Sequence, residues 1–324
     1  MWGDYFMSEV FFSSACLKAP GSGSAMGMPK ELSAESVVNK VPILLERAGL
    51  SNTIKSGDTV AIKIHFGRVG GYRVIRPPFV RKVVEAVKLL GGKPFVTDTW
   101  GLSHLDDAQY NGFSDATVGA PIIPDSGIKE NDYRVIQVDG IHLKEVKVAG
   151  NIYDADYLIN FARTTFHHSA GLAALIKNLA MGCSTPDIRR QRLHNRMSEA
   201  QGAKIFAESM TDIVRAVLSN KKGKVIHLSY LMDVTEHCGC PPYSNTPIIP
   251  DIGISASQDL VAAESLNIDL INKAPGSPYS NADKYDFKPG DDKFKIVNGR
   301  NAWTAVQTLE QAGFGVIRYK LVEV

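Results

Sequence analysis

Hydrophobic positions in the first half of the chain follow two alternating patterns, one typical of strands and one of helices. Residues 59–66 form a β-branched run with partial alternation, which predicts a strand. Residues 79–90 predict a helix that stops at two glycines, and residues 93–99 return to a strand. The valines on one face of this helix are Val80, Val83, Val84 and Val87. This order predicts a parallel strand pair with a right-handed crossover, preceded by an amphipathic helix over residues 33–48.

The second half continues the alternation. Further strands are predicted at residues 133–138, 145–148, 157–161, 224–230 and 315–322, and helices at 198–218, 260–271 and 302–312. We therefore predict an α/β, Rossmann-like protein of two lobes, with mainly parallel twisted sheets flanked by helices. Residues 1–160 would form the N-terminal lobe, and residues 161–324 a C-terminal lobe that carries a metal site beside a central cleft.

Charge and hydropathy narrow the classes of partner. The formal net charge of +2 comes from balanced acids and bases without a basic stripe, so we expect no nucleic-acid partner. No stretch approaches the run of roughly 18 uncharged apolar residues that a membrane span needs, so no membrane partner is expected either. Residues 1–7 lack the features of a signal peptide, and either Met1 or Met7 could be the start. We therefore expect a cytoplasmic protein.

Four cysteines in a chain of this length do not form a disulfide framework. Cys238 and Cys240 form a Cys-x-Cys pair followed by two prolines, which suits two thiolates that ligate one metal on a stiff loop. Cys183 lies in a Gly-Cys turn elsewhere. We predict that these three cysteines hold a metal, although a loop with incidental cysteines is the simpler alternative.

Polar residues among small ones mark a second candidate segment, residues 166–184. We assign His167, Asn178 and Gly182 to cofactor binding and Lys177 to catalysis, against the alternative of a tightly packed helix. His65 and Asp98 follow predicted parallel strands, where the carboxyl ends open onto a ligand crevice. A strand-end aspartate such as Asp98 more often serves in a turn or as a helix cap.

Several blocks resemble the DUF362 family, whose members are often described as Fe–S centre proteins. The blocks are VAIKIHFG (60–67), GGKPFVTDT (91–99), YNGF and GAPII (110–123), DADYLINF (154–161), IKNLAMGC (176–183), CGCPPYSNTPIIPDIGISASQDLVA (238–262) and the terminal LVEV. The resemblance covers nearly the whole chain. It places the family's two histidines on His167 and His194. The ferredoxin module that many relatives insert after the second histidine has no counterpart in this sequence, so either a separate protein such as a ferredoxin supplies electrons or the chemistry is not a net redox reaction.

Together these features predict an open metal centre. Cys183, Cys238 and Cys240 would hold a [4Fe-4S] cluster, or a mononuclear iron or zinc, with His167 or His194 as a further ligand. The centre would act as a Lewis acid on a small polar metabolite, with Lys177 supplying charge and His65, Asp98 or Asp251 acting as acid or base. The reaction would be that of a lyase, isomerase or reductase.

Two other readings remain open. The protein could be a non-catalytic carrier of electrons or of a metal centre, or a binding protein with a structural zinc closed by His237, His194 or Cys16. His104, His142 and His227 are expected to be surface or hydrogen-bonded histidines rather than ligands. A homodimer is also kept open.

Overall fold

The described part of the chain, residues 7–16, 35–99, 101–188, 193 and 201–324 of a computed structural model, folds around one long sheet. Its strands are β1 (Ser8–Ser14), β2 (Thr59–Lys63), β3 (Lys93–Asp98), β4 (Ile122–Pro124), β5 (Tyr133–Gln137), β6 (Glu145–Ala149), β7 (Tyr157–Arg163), β8 (Thr165–His167), β9 (Gly171–Ala173), β10 (Val225–Leu231), β11 (Gly253–Ser257) and β12 (Tyr319–Glu323). The long sheet has the order β12-β1-β11-β10-β7-β2-β3-β4. Two further pairs, β5-β6 and β8-β9, form small antiparallel sheets of their own.

Helices cover both faces of the long sheet. They are α1 (Val37–Arg47), α2 (Leu50–Thr53), α3 (Pro77–Leu89), α4 (Ser103–Tyr110), α5 (Asp115–Val118), α6 (Gly150–Asp154), α7 (Leu175–Gly182), α8 (Gly202–Val217), α9 (Leu260–Lys273), α10 (Lys293–Asn298) and α11 (Trp303–Gln311). One core lies between the sheet and α1 and α3, and the other between the sheet and α7, α8, α9 and α11. No helix in these ranges is both long and apolar enough to cross a bilayer.

Local sequence explains the best-defined unit, β2-α3-β3. Helix α3 begins at Pro77, whose ring fixes φ near the helical value where no N–H is needed, and it buries the four predicted valines. The chain turns after it at Gly91, which has a φ of +78°. Strands β2 and β3 then pair in parallel, with Lys63 opposite Thr97. The predicted strand-helix-strand unit is confirmed.

Five of the seven pairings in the long sheet are parallel, and β11 runs antiparallel to both of its neighbours. The predicted α/β class, with a mainly parallel sheet flanked by helices, is confirmed. The proposed boundary at residue 160 falls inside β7, which pairs with β2 on one side and β10 on the other. The division into two lobes stays a prediction.

Strand order creates a crevice beside β2. From β2 the chain continues to β3 and β4 on one side, and it later returns to β7 and β10 on the other side. Connections therefore leave the carboxyl ends of β2 and β7 in opposite directions. This is the switch point at which open α/β sheets bind ligands.

Candidate functional site

A cavity of about 510 Å³ opens at the carboxyl ends of β2, β3 and β7. This volume lies within the range of small-molecule sites. Its walls come from the strand ends, from the segment that contains β8, β9 and α7, and from the loop that carries the paired cysteines. Predicted residues that line it are His65, Asp98, His167, Lys177, Asn178, Gly182, Cys238 and Cys240.

Asp98 is the buried centre of the polar network on the cavity floor. Its Oδ1 lies 2.8 Å from the Lys63 ammonium, while Oδ2 lies 2.9 Å from His65 Nδ1 and accepts from the Phe66 backbone N–H (3.0 Å). Burial alone would raise the pKa of Asp98, but the charge of Lys63 and the contact with His65 outweigh it and hold the pKa well below the usual 3.8. Asp98 is therefore a carboxylate at neutral pH.

Lys63, which sequence reasoning missed, is held in one position by several groups. Its ammonium donates to Asn178 Oδ1 (2.9 Å) and to the Ile64 carbonyl (2.6 Å), and only 1% of the side chain is exposed. A Cβ added at Gly182 would lie 2.3 Å from Lys63 Nζ. In the structure, Asn178 and Gly182 thus position Lys63; their predicted role in cofactor binding is not tested by these contacts.

His104 completes a group of possible metal ligands with His65 and Asp98. One donor atom from each residue lies within 4.8 Å of the other two. His104 Nδ1 lies 2.9 Å from Asp107 Oδ2, and its Nε2 lies 3.5 Å from Asp98 Oδ2. Burial lowers the pKa of His104, although Asp98 opposes this shift. A neutral ring that donates from Nδ1 to Asp107 turns the lone pair of Nε2 towards the Asp98 carboxylate.

The paired cysteines lie on the opposite side of His65. Cys240 Sγ is 3.6 Å from His65 Nε2, whereas Nδ1 of the same ring faces Asp98. A hydrogen bond from Cys238, opposed by burial and aided by the charge of Lys177, lowers the pKa of Cys240 to about 6. Gly239 permits this approach, because a Cβ there would lie 2.9 Å from the His65 ring.

Close contacts with neighbouring segments fix the cysteine loop. Arg163, at the end of β7, donates to the Asp233 carbonyl and to the His237 carbonyl (3.4 Å) that immediately precedes the pair. Gly70, at a φ of +93°, packs against Pro242, and a Cβ there would lie 2.4 Å from the proline carbonyl oxygen. The loop is thus placed by packing and backbone contacts as well as by its prolines.

His167 lies in the hairpin formed by β8 and β9, not on a helix. Its Nδ1 accepts from the backbone N–H groups of Ser169 and Ala170, both at 3.1 Å. Burial and the charge of Lys177 lower the pKa of His167 to about 4, with Cys238 opposing the shift. The neutral ring therefore carries its proton on Nε2, towards Cys238. This tautomer makes His167 a hydrogen-bond donor and a poor metal ligand.

Cys183 does not join the paired cysteines. Its side chain lies in the core with Leu179, four residues earlier on the helix, and does not line the cavity. Asn178 and Gly182, also four residues apart, form the face that contacts Lys63. Adjacent positions on a helix point about 100° apart, so Gly182 and Cys183 face different surroundings. The predicted three-cysteine centre is therefore not assembled, and this helical spacing was the signal that could have revealed it.

The remaining predicted residues are placed as follows. Asp251 is exposed outside the cavity lining and accepts from the Asp233 backbone N–H (2.9 Å). Cys16 is exposed just beyond β1, and none of the four cysteines, all within the described ranges, forms a disulfide. His237 lines the cavity. His194 lies outside the described residues.

The fold and the cavity define an α/β protein with a candidate ligand site at the carboxyl ends of its parallel strands. The sequence profile of the family described as Domain of unknown function (DUF362) matches residues 60–269, well over half of the chain. The chain therefore belongs to the DUF362 family, which confirms the predicted resemblance.

Similar proteins include a thylakoid-associated protein of Synechocystis sp. (strain ATCC 27184 / PCC 6803 / Kazusa). It is 26% identical over 252 residues, which are 75% of this chain and 73% of that protein. Among solved structures, the lactate racemase apoprotein of Thermoanaerobacterium thermosaccharolyticum matches with a TM-score of 0.41 at 15% identity, over 88% of this chain and 81% of that chain. A Thermotoga maritima protein matches with a TM-score of 0.37 at 9% identity, over 60% of this chain and half (50%) of that chain. At these scores the chemistry of neither neighbour transfers to this chain.

Proposed function

We propose that this protein is an enzyme that binds one iron or zinc ion at His65, Asp98 and His104 and acts on a small molecule in the adjoining cavity. The observation that carries this proposal is the convergence of three donor atoms, each within 4.8 Å of the others, on the cavity floor. Two imidazoles and one carboxylate form a donor set that suits iron or zinc and leaves positions for substrate.

The surroundings of the three donors fit a cation. His104 Nε2 lies 3.5 Å from Asp98 Oδ2, and with the ring proton on Nδ1, facing Asp107, both atoms could bind a cation between them. Asp107 holds the other nitrogen of His104, as carboxylates commonly do behind histidine ligands. Because Lys63 takes Oδ1 of Asp98, only Oδ2 would bind the metal.

The residues do not fit a [4Fe-4S] cluster held by three cysteines, since Cys183 lies in the core. The proposed ion is mononuclear, like the predicted alternative to a cluster, but its ligands are His65, Asp98 and His104 in place of the three cysteines. Cys240 faces Nε2 of His65, on the side of the ring away from Asp98, so its thiolate would accept from the nitrogen that does not bind the metal.

When bound, the metal would supply Lewis-acid chemistry to a substrate oxygen. Around it, Lys177 supplies positive charge, His167 offers a fixed N–H, and Lys63 balances the buried Asp98 carboxylate. A lyase, isomerase or reductase reaction is consistent with these groups. A separate ferredoxin, a homodimer and a cytoplasmic location stay predictions.

Metal content tests the proposal. Wild-type protein, reloaded with Fe(II) or Zn(II) under anaerobic conditions, should bind one equivalent, measured by inductively coupled plasma mass spectrometry. His104→Asn should lose this binding. His142→Asn is the matched control, because His142 also contacts a carboxylate, Glu208 at 2.7 Å, but lies outside the cavity. Equal metal content in wild-type and His104→Asn proteins, both folded by circular dichroism, would reject the site.

A second candidate function rests on the geometry of Cys240. Its thiolate, His65 and Asp98 form a thiol–imidazole–carboxylate sequence, with contacts of 3.6 Å and 2.9 Å. Such an arrangement suits nucleophilic catalysis by the thiolate on an acyl or similar group. His104 separates the two functions, because its loss should abolish metal-dependent activity and spare a thiol-dependent one. Cys240→Ser should have the opposite effect.

A further inference from the structure

The described side chains that line the cavity carry a strong excess of positive charge. Asp98 is the one carboxylate among these lining residues. The cations are five lysines and arginines, namely Lys63, Arg68, Arg73, Arg163 and Lys177. Concave sites lined by charge of one sign concentrate ligands of the opposite sign. The distribution of these charges therefore bears on the substrate.

Ion pairs within the protein neutralise only some of the cations. Lys63 pairs with Asp98 at 2.8 Å, and Arg73 pairs with Asp233 at 2.5 Å. Arg163 donates to neutral oxygens, namely the backbone carbonyls of Asp233 and His237 and the Thr235 hydroxyl, so its charge is fixed in place without a carboxylate in hydrogen-bond contact among the described residues.

Lys177 and Arg68 are the cations best placed to meet a ligand. Lys177 lies on α7, is partly exposed to the cavity, and forms no ion pair with any residue whose position is described. Arg68 follows Gly67 on the loop after β2 and also lines the cavity.

His167 adds no carboxylate and no free acceptor to this wall. It is 97% buried, its Nδ1 is occupied by two backbone N–H groups, and its Nε2–H faces Cys238. An anionic oxygen would gain from the surrounding cations, whereas an ammonium ligand would be repelled by them and would find few acceptors.

We propose that the cavity binds a small organic anion, whose carboxylate or phosphate group is held by Lys177 and Arg68. This assignment rests on the proposed function in taking the cavity as the substrate site, and it names the chemical class of that substrate. Anion binding itself needs only the protein's own cations, so it should persist without metal.

Isothermal titration calorimetry on the full chain, freed of metal with chelator and dialysed, tests the inference. Succinate and inorganic phosphate are the probes, and choline is the cationic control. We expect binding of at least one anion and none of choline, and stronger binding of succinate or of phosphate identifies the group that is recognised. Lys177→Gln and Arg68→Gln should each weaken binding about tenfold. Lys222→Gln, an exposed lysine outside the cavity, should leave it unchanged.

Two results would overturn the inference: failure of both anions to bind at millimolar concentrations, or unchanged affinity in both cavity variants. The metal measurement is independent of this titration. Metal uptake that depends on His104, without binding of either anion, would support the metal site and reject the anion site. Anion binding without metal uptake would support the anion site and reject the metal site.

Discussion

Replacing Gly182 by alanine should disrupt the charge balance of the cavity floor. The new Cβ would lie 2.3 Å from Lys63 Nζ and 2.4 Å from Cε, far inside contact distance. Lys63 cannot simply move aside, because it is buried and bound to Asp98, Asn178 and the Ile64 carbonyl. Breaking a buried ion pair costs about 3–5 kcal/mol, whereas replacing glycine by alanine stabilises a helix by about 1 kcal/mol. We therefore expect Gly182→Ala to lower the free energy of unfolding by roughly 2–4 kcal/mol.

A double-mutant cycle isolates this effect. Urea unfolding, followed by circular dichroism, would compare Gly182→Ala in the wild-type chain and in a Lys63→Ala/Asp98→Asn background, where the clashing side chain and its partner charge are both gone. The substitution should be nearly neutral in that background. A similar loss of stability in both backgrounds would show that Gly182 does not act by making room for Lys63.

Three further predictions concern other groups in and near the site. Cys238→Ala should raise the pKa of Cys240 from about 6 towards its usual 9.0, measured from the pH dependence of its alkylation by iodoacetamide; an unchanged profile would refute the contact. Asp107→Asn should weaken metal binding about 10–100-fold in competition with a chelator, and equal affinity would argue against His104 as a ligand. Burial raises the pKa of Glu264 from 4.5 to about 7, so the folded protein keeps a proton that the unfolded chain loses between these values. The free energy of unfolding due to this group therefore falls by roughly 3 kcal/mol as pH rises from 4.5 to 7. In urea unfolding, Glu264→Gln should be more stable than wild type at pH 8 but not at pH 5. The same stability difference between variant and wild type at both pH values would contradict the shift.

Local patterns predicted the parts of the fold that local physics decides. The valine face of α3, its proline start and the glycine after it defined β2-α3-β3 in the sequence. Strands β1 and β11 were missed. Strand β11 follows a proline-rich loop, and both strands are defined by pairing across the chain, with Phe11 opposite Ala256. Such pairing leaves little local signal.

In the candidate site, too, residues at strand ends could be predicted from local sequence, whereas residues placed by packing could not. His65 and Asp98 were predicted because strand ends in a parallel sheet share one edge. His104 was set aside as a surface or satisfied histidine, since its contact with Asp98 depends on how α4 packs against the end of β3. The place of Cys183 follows from α7, because helical spacing turns its thiol into the core while Gly182 faces Lys63.

Anomalous diffraction at the iron and zinc absorption edges, from anaerobically grown and metal-loaded crystals, identifies both the element and its ligands. We expect a single peak about 2.0–2.2 Å from the ligating atoms of His65, Asp98 and His104. A peak bound by Cys238 and Cys240, or the lack of any peak near Asp98 after loading, would contradict the proposed metal site.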